Sequence, residues 1–173
     1  MPTADQWLKK AKRYTAKWKE AGSLEIAFFC WQKAAEADPK NPEAMLGMSN
    51  AYLYGHGIRA DCPRGRQLLR KAATAGHAEA QCHLGRYLYV NGDLFGFRKS
   101  ETMAETWFRA AAIQGHAEAQ HFLGLMYARG DGGLKCDHQL AEQWLLKAAE
   151  HEDFPFPAQY LAHLWNGADK SEN

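Results

Sequence analysis

The hexapeptide Gly76-His77-Ala78-Glu79-Ala80-Gln81 recurs letter for letter as Gly115-His116-Ala117-Glu118-Ala119-Gln120, 39 residues further on. A self-similar period of about 20–50 residues marks a repeat architecture, in which each unit buries its apolar face against the next. The likeness spreads outward from the hexapeptide. Lys71-Ala72-Ala73 matches Ala110-Ala111-Ala112, and Leu84-Gly85 matches Leu123-Gly124. Lys33-Ala34-Ala35 and Lys147-Ala148-Ala149 continue the series on either side, at successive spacings of 38, 39 and 37 residues. Four units so spaced exclude coincidence.

Each unit reads as two helices. Ten residues before each alanine motif stands Ser23, Asp61, Ser100 or Asp137, residue types that accept a backbone N–H at a helix N-cap. Behind the cap runs a stripe at helical spacing: Ala27, Trp31 and Ala34, then Ala104, Trp107 and Ala111, then Ala141, Trp144 and Ala148. The second unit departs, with Gly65 and Leu68 as its small and large members. The other helix of each unit carries Ala44, Met48, Ser49 and Tyr52; Ala80, Leu84, Gly85 and Leu88; Ala119, Leu123, Gly124 and Tyr127; and, more loosely, Pro157, Leu161, Ala162 and Trp165. A glycine inside a helix costs about 1 kcal/mol against alanine. Gly85 and Gly124 are therefore expected at close helix–helix contacts. Glycines after these helices, at Gly55, Gly57, Gly92, Gly130, Gly132 and Gly133, are expected to end them.

A first helix is predicted from about Ala4 to Ala21, with the stripe Trp7, Ala11, Tyr14 and Trp18; Gly22 ends it and Ser23 caps the next. The fold class that follows is all-α: a right-handed α-solenoid of antiparallel helix pairs, about nine helices. Residues 1–173 are expected to form a single repeat domain, with units at about 4–41, 42–77, 78–116 and 117–151 and a closing C-terminal helix at 156–166.

Composition narrows the class of function. Twenty-one basic against twenty acidic residues leave a net charge of +1, unlike the basic surface of a general nucleic-acid binder. The longest apolar run, Ile26-Ala27-Phe28-Phe29-Cys30-Trp31, is far shorter than the roughly 20 residues of a membrane-spanning helix. The start of the chain is polar and lysine-rich, unlike a secretory signal. Cys30, Cys62, Cys82 and Cys136 lie far apart with no Cys-x-x-Cys pair, and are expected as reduced thiols. The expected location is cytoplasmic, with no nucleic acid and no membrane as partner.

The block Ala104 to Asp137 resembles a Sel-one-like repeat, the longer relative of the tetratricopeptide repeat. The resemblance is carried by Ala104, Trp107, Ala111, the whole segment Gly115 to Gln120, Leu123, Gly124, Tyr127, Gly130, Gly132 and Asp137. Residues from about Leu8 to Asn41 resemble an ordinary tetratricopeptide repeat instead, through Trp18, Gly22, Ala27, Trp31, Ala34 and Asp38-Pro39. The resemblance covers nearly the whole chain. It implies an adaptor or scaffold that holds proteins or peptides along a concave face. Relatives with a regular cysteine pair in each repeat form disulfides; here the cysteines do not follow the period. Other relatives grip a C-terminal carboxylate with a lysine-asparagine-asparagine-lysine-arginine set. The matching positions are Lys12, Ala16, Gly47, Glu79 and His83, and only the lysine is kept.

Packing consumes the stripe residues, so the groove lining is what remains: Lys12 and Lys19, then Leu46, Asn50, Leu53 and Tyr54, then Arg86, Tyr89, His121, Leu125, Arg129 and His163. Tyr and Arg carry much of the energy at protein interfaces. The partner-binding residues expected first are Asn50, Tyr54, Arg86, Tyr89, His121, Leu125, Arg129 and His163. The first helix also carries Lys9, Lys10, Lys12, Arg13, Lys17 and Lys19, read as a solvated charged face with an acidic partner as the second choice.

Of eight histidines, His77 and His116 recur with the period and are expected to cap helices or bridge repeats. His116 and His121 are not at metal-pair spacing, and no His-Glu-x-x-His occurs. No glycine-rich segment fits a nucleotide-binding template. Cys82 and His83 are adjacent, so their side chains diverge by about 100° on a helix. No catalytic residue, metal or cofactor is expected. The reading is a protein–protein interaction adaptor or scaffold, with another protein or peptide in the concave groove. The alternative is a stoichiometric chaperone or neutralising, immunity-like partner of an effector protein; a small hydrolytic enzyme is more remote. A homodimer through the C-terminal helix is a further partnership the sequence leaves open.

Overall fold

The computed structural model describes residues 2–90 and 94–151. Among these residues eight α-helices follow one another and no strand occurs: α1 (Ala4–Ala16), α2 (Ser23–Ala37), α3 (Pro42–Tyr54), α4 (Cys62–Thr74), α5 (Ala78–Tyr89), α6 (Glu101–Ile113), α7 (Ala117–Arg129) and α8 (His138–Ala149). This is the all-α helix-pair class read from the repeat. The ninth helix expected at 156–166 lies outside the described residues.

Three of the four predicted caps do what their residue type suggests. The side chains of Asp61, Ser100 and Asp137 accept the backbone N–H of Arg64, Met103 and Leu140 at 3.0, 3.4 and 2.9 Å. The same three residues use their own N–H a second way. Asp61 donates to the Tyr52 carbonyl, Ser100 to Leu88 and Asp137 to Tyr127, each at 2.9 Å. One short residue thus starts a helix and ties it to the helix before. His77 and His116 cap as well: their Nδ1 atoms accept from the N–H of Ala80 and Ala119 at 3.3 and 3.4 Å.

The first helix and the fourth cap need correction. α1 stops at Ala16, not Ala21, because the chain reverses through residues 17–22 before α2. Gly22, in the left-handed region at φ 75°, holds the N-cap position, and Ser23 is already helical and buried. Trp18, assigned to the packing stripe, therefore lies beyond the helix end. It is 63% exposed, with the Lys19 ammonium 5.3 Å from its ring.

The described residues form two compact units. The first runs to Ala80 and takes in 94–97; the second takes Gln81–Val90 and continues from Arg98. In the first unit Leu8, Ala11, Cys30, Trp31, Ala34 and Ala44 make one core cluster, and Phe28, Ala51 and Tyr52 another. Each large apolar side chain so buried contributes about 1.5–3 kcal/mol. Between α3 and α4 the Ser49 hydroxyl donates to the Gly65 carbonyl at 2.8 Å. In the second unit glycines take the place of Ser49. A Cβ on Gly85 would lie 2.8 Å from the Phe108 ring, and one on Gly124 would lie 2.8 Å from Leu145 Cγ and 3.1 Å from the Ala141 carbonyl. These are the close approaches anticipated for both glycines. Phe108 in turn stacks on Phe122, with ring centres 4.7 Å apart, which fastens α6 to α7.

The turns obey a backbone requirement as well. Gly57 and Gly132 adopt φ 72° and 69°, and a Cβ would strike the Leu24–Glu25 backbone in one case and the Glu101 carbonyl in the other. Only glycine meets both conditions.

Candidate functional site

In the first unit, α1, α2 and α3, with Glu79 at the start of α5, border an open cavity of about 290 Å³. Leu24, Ala27, Phe28 and Trp31 of α2 and Ala51 of α3 form its apolar walls; Lys12, Glu43, Asn50, His56 and Glu79 bring polar groups to it. Gly47 lies against the Trp31 indole, so that α3 can approach α2. Lys12 and Glu43 form an ion pair, and the lysine side chain is 64% exposed, so the pair is screened by solvent. Asn50 is different. Its Oδ1 is buried and has no hydrogen-bond partner.

The sequence-predicted residues of this unit are divided by the structure. Lys12, Leu46 and Asn50 meet at the cavity. Leu53 does not: it is buried against Gly65 in the α3–α4 seam. Tyr54 is 45% exposed, stacked on His56 at 5.3 Å and edge-on to Phe95 at 5.0 Å. Lys19 lies in the turn after α1. Four of the five positions matched to the carboxylate-gripping set, Lys12, Ala16, Gly47 and Glu79, line the same cavity. Its charge is wrong for an acid, since Lys12 is answered by Glu43 and Glu79 is itself acidic.

In the second unit α5 and α7 bring Arg86, Tyr89 and Arg129 into a polar cluster. Arg86 pairs with Glu118 at 3.1 Å. The Tyr89 hydroxyl is hydrogen-bonded to the Asp131 carboxylate and accepts from Arg129 Nη1 at 3.3 Å. Its ring is held edge-on by Phe108 and Phe122, each at 6.1 Å. Burial first, then the bond to Asp131, raise the Tyr89 pKa against the opposing effect of Arg129. His121 and Leu125 are buried. Burial is the main cause lowering the His121 pKa; Arg129 adds to it and Glu118 opposes it. His163 lies outside the described residues. Reading the sequence alone missed Glu118 and Asp131, which hold the cluster in place. The available signals were the glutamate of the hexapeptide itself and the lone aspartate in the glycine turn after α7.

Cys30 and Cys82 are buried, Cys62 is half-buried and Cys136 is exposed, all as free thiols. Burial raises the Cys30 pKa, with Lys10 opposing. Among the described residues no group of three or more His, Cys, Asp or Glu side chains is placed to hold a metal, and no helix is long and apolar enough to cross a membrane.

The Sel1 repeat matches at residues 19–39, 42–77, 78–116 and 117–153. The chain belongs to the Sel1 repeat family. A solved Sel1 repeat protein from Oxalobacter formigenes is similar over 94% of this chain, with 33% identity and a TM-score of 0.77. A protective antigen of uropathogenic Escherichia coli strains, described as displaying an SLR fold, is similar in fold over 86% of the chain, at 24% identity and a TM-score of 0.69. The chain spans 45% and 31% of the lengths of those two proteins. No curated protein matches it. Within a Sel1 repeat the hexapeptide has structural work: its histidine caps, and its second alanine (Ala80 or Ala119) is fully buried.

Proposed function

We propose that this Sel1 repeat chain is a protein–protein interaction module, an adaptor or scaffold holding a partner peptide or protein in the groove of the solenoid. Asn50 and Tyr54 would contribute from the first unit, and Arg86, Tyr89, His121, Leu125 and Arg129 from the second. The observation that carries the reading is the Arg86–Tyr89–Arg129 cluster. Tyrosine and arginine are the side chains that most often dominate interface energy, and here Glu118 holds Arg86 while Asp131 holds Tyr89, whose hydroxyl accepts from Arg129. Side chains already ordered lose less entropy on binding. Buried Leu125 and His121 would support that surface more than touch the partner.

Catalysis is not part of the proposal. Cys82 is fully buried and offers no nucleophile to a substrate. Cytoplasmic residence is part of it, and the four free thiols support that.

Affinity capture from the native cell extract tests the reading, with wild type beside Tyr54→Ala and Arg129→Ala. Both side chains are exposed, so both variants should fold. A stoichiometric partner held by wild type and lost from at least one variant is the expected result. No partner above background, or equal retention by both variants, overturns the proposal.

A further inference from the structure

We infer that the cavity between α1, α2 and α3 receives an arginine side chain of the partner; this rests on the interaction-module reading above and names the chemistry of one of its contacts.

The argument begins with Asn50. A buried acceptor without a donor is a standing cost, removed when a donor reaches it. Asn50 Oδ1 is such an acceptor, buried beside the cavity that the Asn50 residue helps to line. Its missing partner must carry a proton to give, which a carboxylate does not. Charge points the same way. Lys12 is paired with Glu43, and Glu79 adds a second carboxylate, so these three groups leave one excess negative charge at the cavity. An acidic occupant would meet that charge in a partly desolvated space; a cation is drawn to it.

Size and wall chemistry select among cations. About 290 Å³ lies at the lower limit for small-ligand pockets, room for one long side chain with its adjoining backbone. Phe28, Trp31 and Leu24 offer apolar surface to a methylene stem. Arginine unites the requirements. Its planar fork has five N–H donors, enough to reach Asn50 and a carboxylate together, and it is less strongly hydrated than lysine and packs well against aromatic rings.

Titration followed by ¹H–¹⁵N NMR tests this with the full chain and two probes, N-acetyl-arginine amide and N-acetyl-glutamate amide. The arginine probe is expected to give saturable shifts of the Asn50 side-chain amide and the Trp31 indole signals, and the glutamate probe none. Asn50→Leu removes the acceptor and leaves an apolar side chain of similar size, so the fold is kept. That variant and Glu79→Lys, at an exposed position, should each weaken the arginine probe by about tenfold or more. Equal or tighter binding of the glutamate probe, absence of saturable shifts with arginine, or unchanged affinity in both variants overturns the inference. Those outcomes are separable from failure of the interaction-module reading, which is decided by partner capture with the Tyr54 and Arg129 variants.

Discussion

Gly85 faces the ring of Phe108 so closely that a single added carbon would lie 2.8 Å from it. Two effects of opposite sign therefore meet at this position. Alanine is the better helix former by about 1 kcal/mol, while forcing a methyl group into a filled seam costs about 1–3 kcal/mol. Phe108 has no room to retreat, being fully buried and stacked on Phe122. Gly85→Ala is expected to lower stability by up to about 2 kcal/mol net, read as the shift in a urea unfolding curve. A gain in stability would mean that α5 and α6 can separate without loss.

The start of α2 makes a contrasting case. Ser23 is buried within the helix, and Gly22 holds the cap position at φ 75°. Ser23→Ala should therefore change stability by less than about 0.5 kcal/mol, whereas Asp137→Ala, which removes a true cap, should cost about 1 kcal/mol. Gly22→Ala should cost about 1–2 kcal/mol, because a side chain at that φ is strained. Thermal unfolding of the three variants side by side checks the order; equal losses at Ser23 and Asp137 would restore Ser23 as a cap.

These corrections show which parts of the fold are legible in the sequence. Repeat period, helix pairing and the Asp61, Ser100 and Asp137 caps depend on local spacing, and local spacing is visible. Ser23 stands at the same spacing and fails, because the glycine before it can reverse the chain one residue earlier. Coverage is harder to read. Periodicity gives a side chain's angle around its helix but not which neighbour lies over that angle. Leu53 and His121, each expected on an open face, are buried for that reason. Arg86 and Tyr89 find Glu118 and Asp131 more than 30 residues away, a pairing no single-helix pattern contains.

Burial of His121 has a consequence for pH. Its folded pKa lies below the ordinary histidine value, mainly through burial, so the fold favours the neutral ring. The resulting stability is fully present above the unfolded pKa of about 6.5 and is lost as pH falls below it toward the folded value. Wild type should thus lose stability as pH falls below about 6.5, and His121→Gln should lose less over the same fall. Parallel slopes in denaturation midpoint against pH would show that His121 does not protonate on unfolding.

Tyr89 joins Asp131 to Arg129 through one hydroxyl. Tyr89→Phe keeps the ring against Phe108 and Phe122 and deletes that link. A hydrogen bond to a charged group is worth about 1.5–3 kcal/mol when buried; Asp131 is half-buried, so about 1 kcal/mol is expected here. The larger effect should be on geometry, since Arg129 would be released from its position beside α5. A double-mutant cycle with Asp131→Asn measures the coupling, expected at about 0.5–1 kcal/mol. If the cluster is the surface a partner meets, Tyr89→Phe should weaken partner capture more than it weakens the fold. Fold and capture falling together would assign Tyr89 a purely structural role.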